Sequence, residues 1–130
     1  MTVDASVNKN TVLFVAALSS FIVTFMGSAI NIALPSIGTE LKMDAVSLGW
    51  VASSFLLATA IFLLPFGRLA DIKGRKKILT CGLFVYTVAS LILSFTPSGS
   101  VLIALRAVQG IGAAMIASTG IAILTSVFPV

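Results

Sequence analysis

Histidine is absent from this 130-residue sequence, cysteine occurs once, and charge is scarce. Without histidine there is no imidazole base and no imidazole metal ligand. A single cysteine, Cys81, cannot close an intramolecular disulfide. Only 9% of the residues are charged, against roughly 25% in soluble domains. No core can absorb that shortfall, because a chain this short buries only about two thirds of its surface. What remains is apolar: 58% of the residues are hydrophobic and the mean hydropathy is +1.17. Such a surface needs a bilayer for solvent.

The net charge of +4 raises the question of nucleic acid. The placement of the cations answers it. Five of the eight, Arg68, Lys73, Arg75, Lys76 and Lys77, fall in one short stretch between apolar runs. That asymmetry is how a membrane protein holds a loop in the cytoplasm, so lipid and not nucleic acid is the expected partner.

Four runs are long enough to cross a hydrocarbon core, which takes about 20 largely apolar residues. They cover approximately residues 11–34, 47–66, 78–95 and 101–128. The runs do not alternate in polarity, as barrel strands would, so an all-α membrane protein of four transmembrane helices is expected. With residues 67–77 inside the cell, both termini lie inside, and residues 1–10 form a short cytoplasmic arm. The first run could instead be a cleaved signal peptide ending at Gly27-Ser28-Ala29, but its apolar stretch is long and Lys9 is the one basic residue before it. Ser20, Thr24, Gly27, Ser28 and Asn31 recur at helical spacing on one broad face. A plain anchor does not need such a face; a helix lining a polar cavity or packing on neighbours does.

The stretch from Gly67 to Lys77 reads as the connector between the second and third spans, with Gly67 ending the one and Gly74 breaking the loop. Asp71 among five cations is placed to pair with Arg75, with Arg68, or with a helix N-terminus. The Arg75 fork suits a carboxylate or helix-end carbonyls. In the fourth run Arg106 and, three residues on, Gln109 share nearly one face. An arginine at a helix centre costs about 2.5–3.5 kcal/mol on insertion scales. Either Arg106 snorkels to the outer surface or it faces a wet cavity beside Gln109. Gly110, Ala113, Ala114, Ala117 and Ser118 read as a packing face, Tyr86 as a packing residue, and Trp50 as part of an aromatic belt.

The order Gly67-x-Leu69-Ala70-Asp71-x-x-Gly74-Arg75-Lys76-Lys77 resembles the signature between the second and third spans of the major facilitator superfamily. Asn31-Ile32-Ala33-Leu34-Pro35 resembles the end of the first-helix motif of that superfamily's fourteen-span drug:proton antiporters, and Leu105-Arg106-Ala107-Val108-Gln109-Gly110 their fourth-helix motif. The resemblance implies the first four helices of a major facilitator N-terminal bundle. It also implies a cytoplasmic latch at Gly67, Asp71, Gly74 and Arg75, and a cavity or coupling role for Arg106, Gln109 and Asn31. Where the antiporter motif carries an aspartate, this chain has Met26, and all four acids (Asp4, Glu40, Asp44, Asp71) lie outside the spans. Any carboxylate that carries protons therefore belongs to a helix outside these four.

The expectation is the N-terminal part of a secondary transporter in the cell membrane, a proton-coupled drug exporter. The chain is expected to be a fragment or truncated product that lacks the C-terminal half and, with it, the other side of the latch. Alternatives are a transporter of sugars, organic acids or other metabolites, and a non-transporting four-helix subunit. A complete four-span drug pump would need a glutamate in the first span, and none is there. No cofactor or metal is expected. Nor is an enzyme, since Gly110-x-Gly112 lies within a span and not after a strand.

Overall fold

The computed structural model describes residues 8–127, and side chains through residue 126. The outermost part of the N-terminal arm and residues 128–130, including the end of the fourth expected span, lie outside the described residues. Four helices follow one another: α1 (Lys9–Glu40), α2 (Ala45–Lys73), α3 (Arg75–Ser94) and α4 (Gly99–Val127). There is no strand among the described residues. Each helix is long and apolar enough to cross a bilayer, and the chain is a multi-pass membrane protein.

The helices run past the apolar stretches because polar ends continue to satisfy backbone groups by helical hydrogen bonds. α1 passes through Pro35 and reaches Glu40. The chain then reverses within four residues, helped by Lys42 in the left-handed region at φ 52°. Asp44 caps α2, its carboxylate accepting from the Ser47 N–H at 3.1 Å. Hydrogen bonds from Ser47 hold that carboxyl below the usual range.

The expected connector at residues 67–77 is far shorter than the sequence suggested. α2 continues through Gly67 to Lys73, and α3 begins at Arg75. Gly74 alone breaks the helix, at φ 109° and ψ 126°. Nothing terminates α2 at Gly67, because its small size does not stop a helix whose neighbours are good helix formers. A β-carbon there would make only ordinary contact with Ser118 Cβ at 3.6 Å.

α4 is the axis of the bundle. Half of its apolar window is buried (50%), against 17% for α1. It runs parallel to α2, and two hydroxyls bridge the pair: Ser54 Oγ donates to the Ile103 carbonyl at 3.3 Å and Thr59 Oγ1 to that of Gly110 at 3.1 Å. α3 packs antiparallel on the other flank. Glycines set both approaches. A β-carbon on Gly110 would sit 2.5 Å from the Phe55 carbonyl oxygen, and one on Gly112 3.0 Å from the Tyr86 nitrogen. Gly82 of α3 faces Met115 Cβ as tightly, at 2.7 Å. Ala113 and Ala114 are buried in the same interface, whereas Ala117, expected there, is exposed. Tyr86 packs in the core with Leu79, Ala113 and Ile116. Trp50 is 51% exposed near the start of α2, a helix-end position that suits an aromatic belt.

These contacts predict that Gly110→Ala, by pushing against backbone, lowers the stability of the full-length protein by about 1–3 kcal/mol. Gly49→Ala, with nothing within 4 Å of the added carbon, should be neutral or slightly stabilising. Melting in detergent followed by size-exclusion chromatography distinguishes the two.

Candidate functional site: a groove beside Arg106 and a clamp at Arg75

Arg106 sits seven residues after the start of α4, roughly 10 Å into the helix. It does not snorkel: the residue is 2% exposed. Its Nε donates to the Val51 carbonyl of α2 at 3.1 Å, its Nη1 donates to Gln109 Oε1, and its guanidinium lies 4.3 Å from the centre of the Phe55 ring. The carbonyl, the amide and the ring face all meet a cation favourably. No carboxylate joins them: the ion pair found among the described residues is Arg75–Asp71, at the other end of the bundle.

Gln109 does not share the cavity with Arg106, as its position on the helix suggested. It is fully buried, and its Nε2 donates to Ser90 Oγ of α3 at 2.8 Å, while Ser90 Oγ donates in turn to the Tyr86 carbonyl at 2.8 Å. Gln109 thus faces α3, and a polar chain runs from the Val51 carbonyl through Arg106 and Gln109 to Ser90, joining α2, α4 and α3. Beside this region the Tyr86 hydroxyl is buried without a hydrogen-bond partner.

The remaining edge of Arg106 opens on a groove of about 290 Å³ between α1, α2 and α4. From α1 come Val23, Thr24, Gly27, Ser28 and Asn31; from α2, Ala52, Phe55 and Leu56. Four of the five residues read as a polar face of α1 are in this lining, and Ser20 is not. Thr24 Oγ1 donates to the Ser20 carbonyl at 2.9 Å, so its lone pairs remain free. Pro35 has no N–H for the Asn31 carbonyl, four residues earlier, which leaves a second backbone acceptor at this level. Asn31 is exposed and brings its amide to the groove. The structure therefore brings Arg106 and Asn31 together and turns Gln109 away.

At the other end of the bundle, where α2 meets α3, lies the second constellation. Arg75 donates from Nε and Nη2 to Asp71 Oδ1, both at 3.3 Å, and from Nη1 to the Ala122 carbonyl of α4 at 2.9 Å. Both partners weighed for its fork, a carboxylate and a late helix carbonyl, are present at once. Gly74 permits this geometry, because φ 109° is strained for any residue with a side chain. Gly67 lies two turns away within α2 and touches none of these atoms.

Sequence reasoning missed Ser54, Thr59, Ser90 and Phe55. Polar residues in apolar runs were a visible signal for the hydroxyls, but their partners on other helices, backbone carbonyls for Ser54 and Thr59 and the Gln109 amide for Ser90, were not. The Val51 carbonyl carries no sequence signal at all.

Comparison with known proteins adds an independent line. A family model described as Major Facilitator Superfamily matches residues 16–130. The chain is 44% identical over 118 residues to the cephamycin export protein CmcT of Amycolatopsis lactamdurans, covering 91% of this chain and 24% of that protein. It is 33% identical over 118 residues to the riboflavin transporter RibZ of Clostridioides difficile (91% and 26%). It is 35% identical over 116 residues to the puromycin resistance protein pur8 of Streptomyces alboniger (89% and 23%). The chain thus spans about a quarter of the length of these relatives. No solved structure matches.

The clamp predicts an order of effects. The ion pair is largely exposed, at 38% and 62% for its two side chains, so Asp71→Asn should cost at most about 1 kcal/mol. Arg75→Ala should cost more, because it also removes the bond that ties α3 to α4. Thermal melts of the two variants in the full-length protein check this order.

Proposed function

Because the chain belongs to the major facilitator superfamily, we propose that it is the N-terminal part of a secondary active transporter that exports drug-like molecules in exchange for protons. The observation that carries the reading is Arg106, a buried cation at the edge of an intramembrane groove, with no carboxylate partner among the described residues. A charge costs too much inside a bilayer to be kept for packing alone. The relatives named for cephamycin export and puromycin resistance support export of such compounds. The name of the riboflavin transporter favours a second reading, transport of a metabolite.

In the proposed mechanism the substrate enters between the two halves of the full protein and meets the groove of α1, α2 and α4. The two halves, rocking against each other around a midplane site, expose it to one side at a time. Arg75, Asp71 and Gly74, with Gly67 one turn before Asp71, form this half's side of a cytoplasmic latch that steadies the outward-facing state. Residues beyond these four helices supply the rest of the latch and the proton-carrying carboxylate. The protein resides in the cell membrane with its N-terminus in the cytoplasm, as the positive stretch from Arg68 to Lys77 directs.

Inverted vesicles bearing the full-length protein should take up a substrate drug when a pH gradient is imposed, and a protonophore should abolish the uptake. Arg106→Ala should lower uptake at least tenfold, with Arg106→Lys retaining part of it. Full uptake by Arg106→Ala, in protein that folds normally, would refute the role given to this residue.

A further inference from the structure

We infer that the groove selects organic anions: a small amphiphilic carboxylate, or the acidic end of a larger molecule, with its charge held by Arg106. The inference rests on the transporter reading above for the groove's purpose, though not for its chemistry. Arg106 carries full positive charge at 2% exposure, and what holds it is neutral: a carbonyl, an amide oxygen and an aromatic ring. The acids among the described residues, Glu40, Asp44 and Asp71, all lie at helix ends or turns, so none neutralises the groove from within.

The guanidinium is committed on its Nε and Nη1 sides, and its Nη2 makes no hydrogen bond to the described residues. That amino group belongs to a residue lining the groove. A carboxylate there receives a charge-assisted hydrogen bond in a low-dielectric setting. Ser28 and Asn31 add a hydroxyl and an amide as further donors, while Val23, Ala52 and Leu56 offer an apolar bed for the rest of the ligand. A cationic ligand meets the same uncompensated charge as repulsion. A neutral one forgoes the strongest bond available. The volume of about 290 Å³ is at the small end of ligand sites, which suits one or two fused rings.

The test uses the purified full-length protein in lipid nanodiscs and three probes that share one ring system: naphthoate, naphthamide and naphthylmethylammonium. Naphthoate should bind at least tenfold more tightly than the other two, the gain expected of one charge-assisted bond. Arg106→Gln should erase that ratio and Arg106→Lys should keep part of it. Ser28→Asp, at an exposed position on α1, should leave the melting temperature unchanged and turn the preference toward the ammonium; it decides the question if Arg106→Gln fails to fold. Equal binding of the three probes, binding of none, or a preference that survives Arg106→Gln in folded protein would overturn the inference. A naphthoate preference without gradient-driven uptake in vesicles would sink the transporter reading and leave the anion site standing. Driven uptake with no preference would do the reverse.

Discussion

An arginine inside a bilayer must find its partners within the protein, because lipid offers none. In this chain Arg106 takes a carbonyl from α2 and an amide from its own helix, and rests on Phe55. The carbonyl and the ring both demand that α2 and α4 lie close. That closeness comes from Gly110, whose missing side chain lets α4 touch the Phe55 carbonyl region, and is supported by Ser54 and Thr59, whose hydroxyls are shared between a carbonyl of α2 and one of α4. The charge and the packing are therefore one arrangement. A bulkier residue at Gly110 would part the helices and strip the arginine of its carbonyl.

The same logic recurs at the opposite end of the bundle with different parts. There α3 follows α2 with one residue between them, and Gly74 makes the turn. Arg75 then reaches across to α4 while holding Asp71 behind it. Two arginines, one near each end of α4, fasten it to its neighbours, and Gly82 and Gly112 close the middle of the α3 interface. The two arginines differ in what surrounds them. Arg75 has a carboxylate and partial access to water, so its charge is balanced locally; Arg106 has neither.

Much of this was legible in the residue order, and the reasons are specific. Four uncharged or nearly uncharged runs with one cationic stretch fix four membrane helices, because hydropathy and length are properties of the sequence itself. The Asp71–Arg75 pair was readable because the partners are four residues apart. The orientation of Gln109 was not. Helical spacing puts it near Arg106, but a glutamine is long enough to turn to either flank, and only the position of Ser90 on another helix settles which. The length of the connector was misread for a related reason. The polar and charged residues between Gly67 and Lys73 look like a loop in a hydropathy profile, yet Arg68, Leu69, Ala70 and Lys73 are good helix formers, and a helix can leave the bilayer without ending. Polarity marks where the membrane stops and says little about where the helix does.

The location of the groove follows from how unevenly the bundle is packed. α4 shares closely fitted, glycine-lined faces with α2 and α3, whereas α1 leaves most of its apolar stretch uncovered by the other three helices. A gap lined by Thr24, Gly27, Ser28 and Asn31 costs little along such a loosely held helix, since Gly27 has no neighbour within 4 Å to lose. The same gap between α2 and α4 would break the Val51–Arg106 bond and two hydroxyl bridges. The polar face of α1 therefore has something to face only because α2 and α4 hold Arg106 rigidly on the other side. The rigid pair fixes the charge in space, and the looser helix leaves the room beside it.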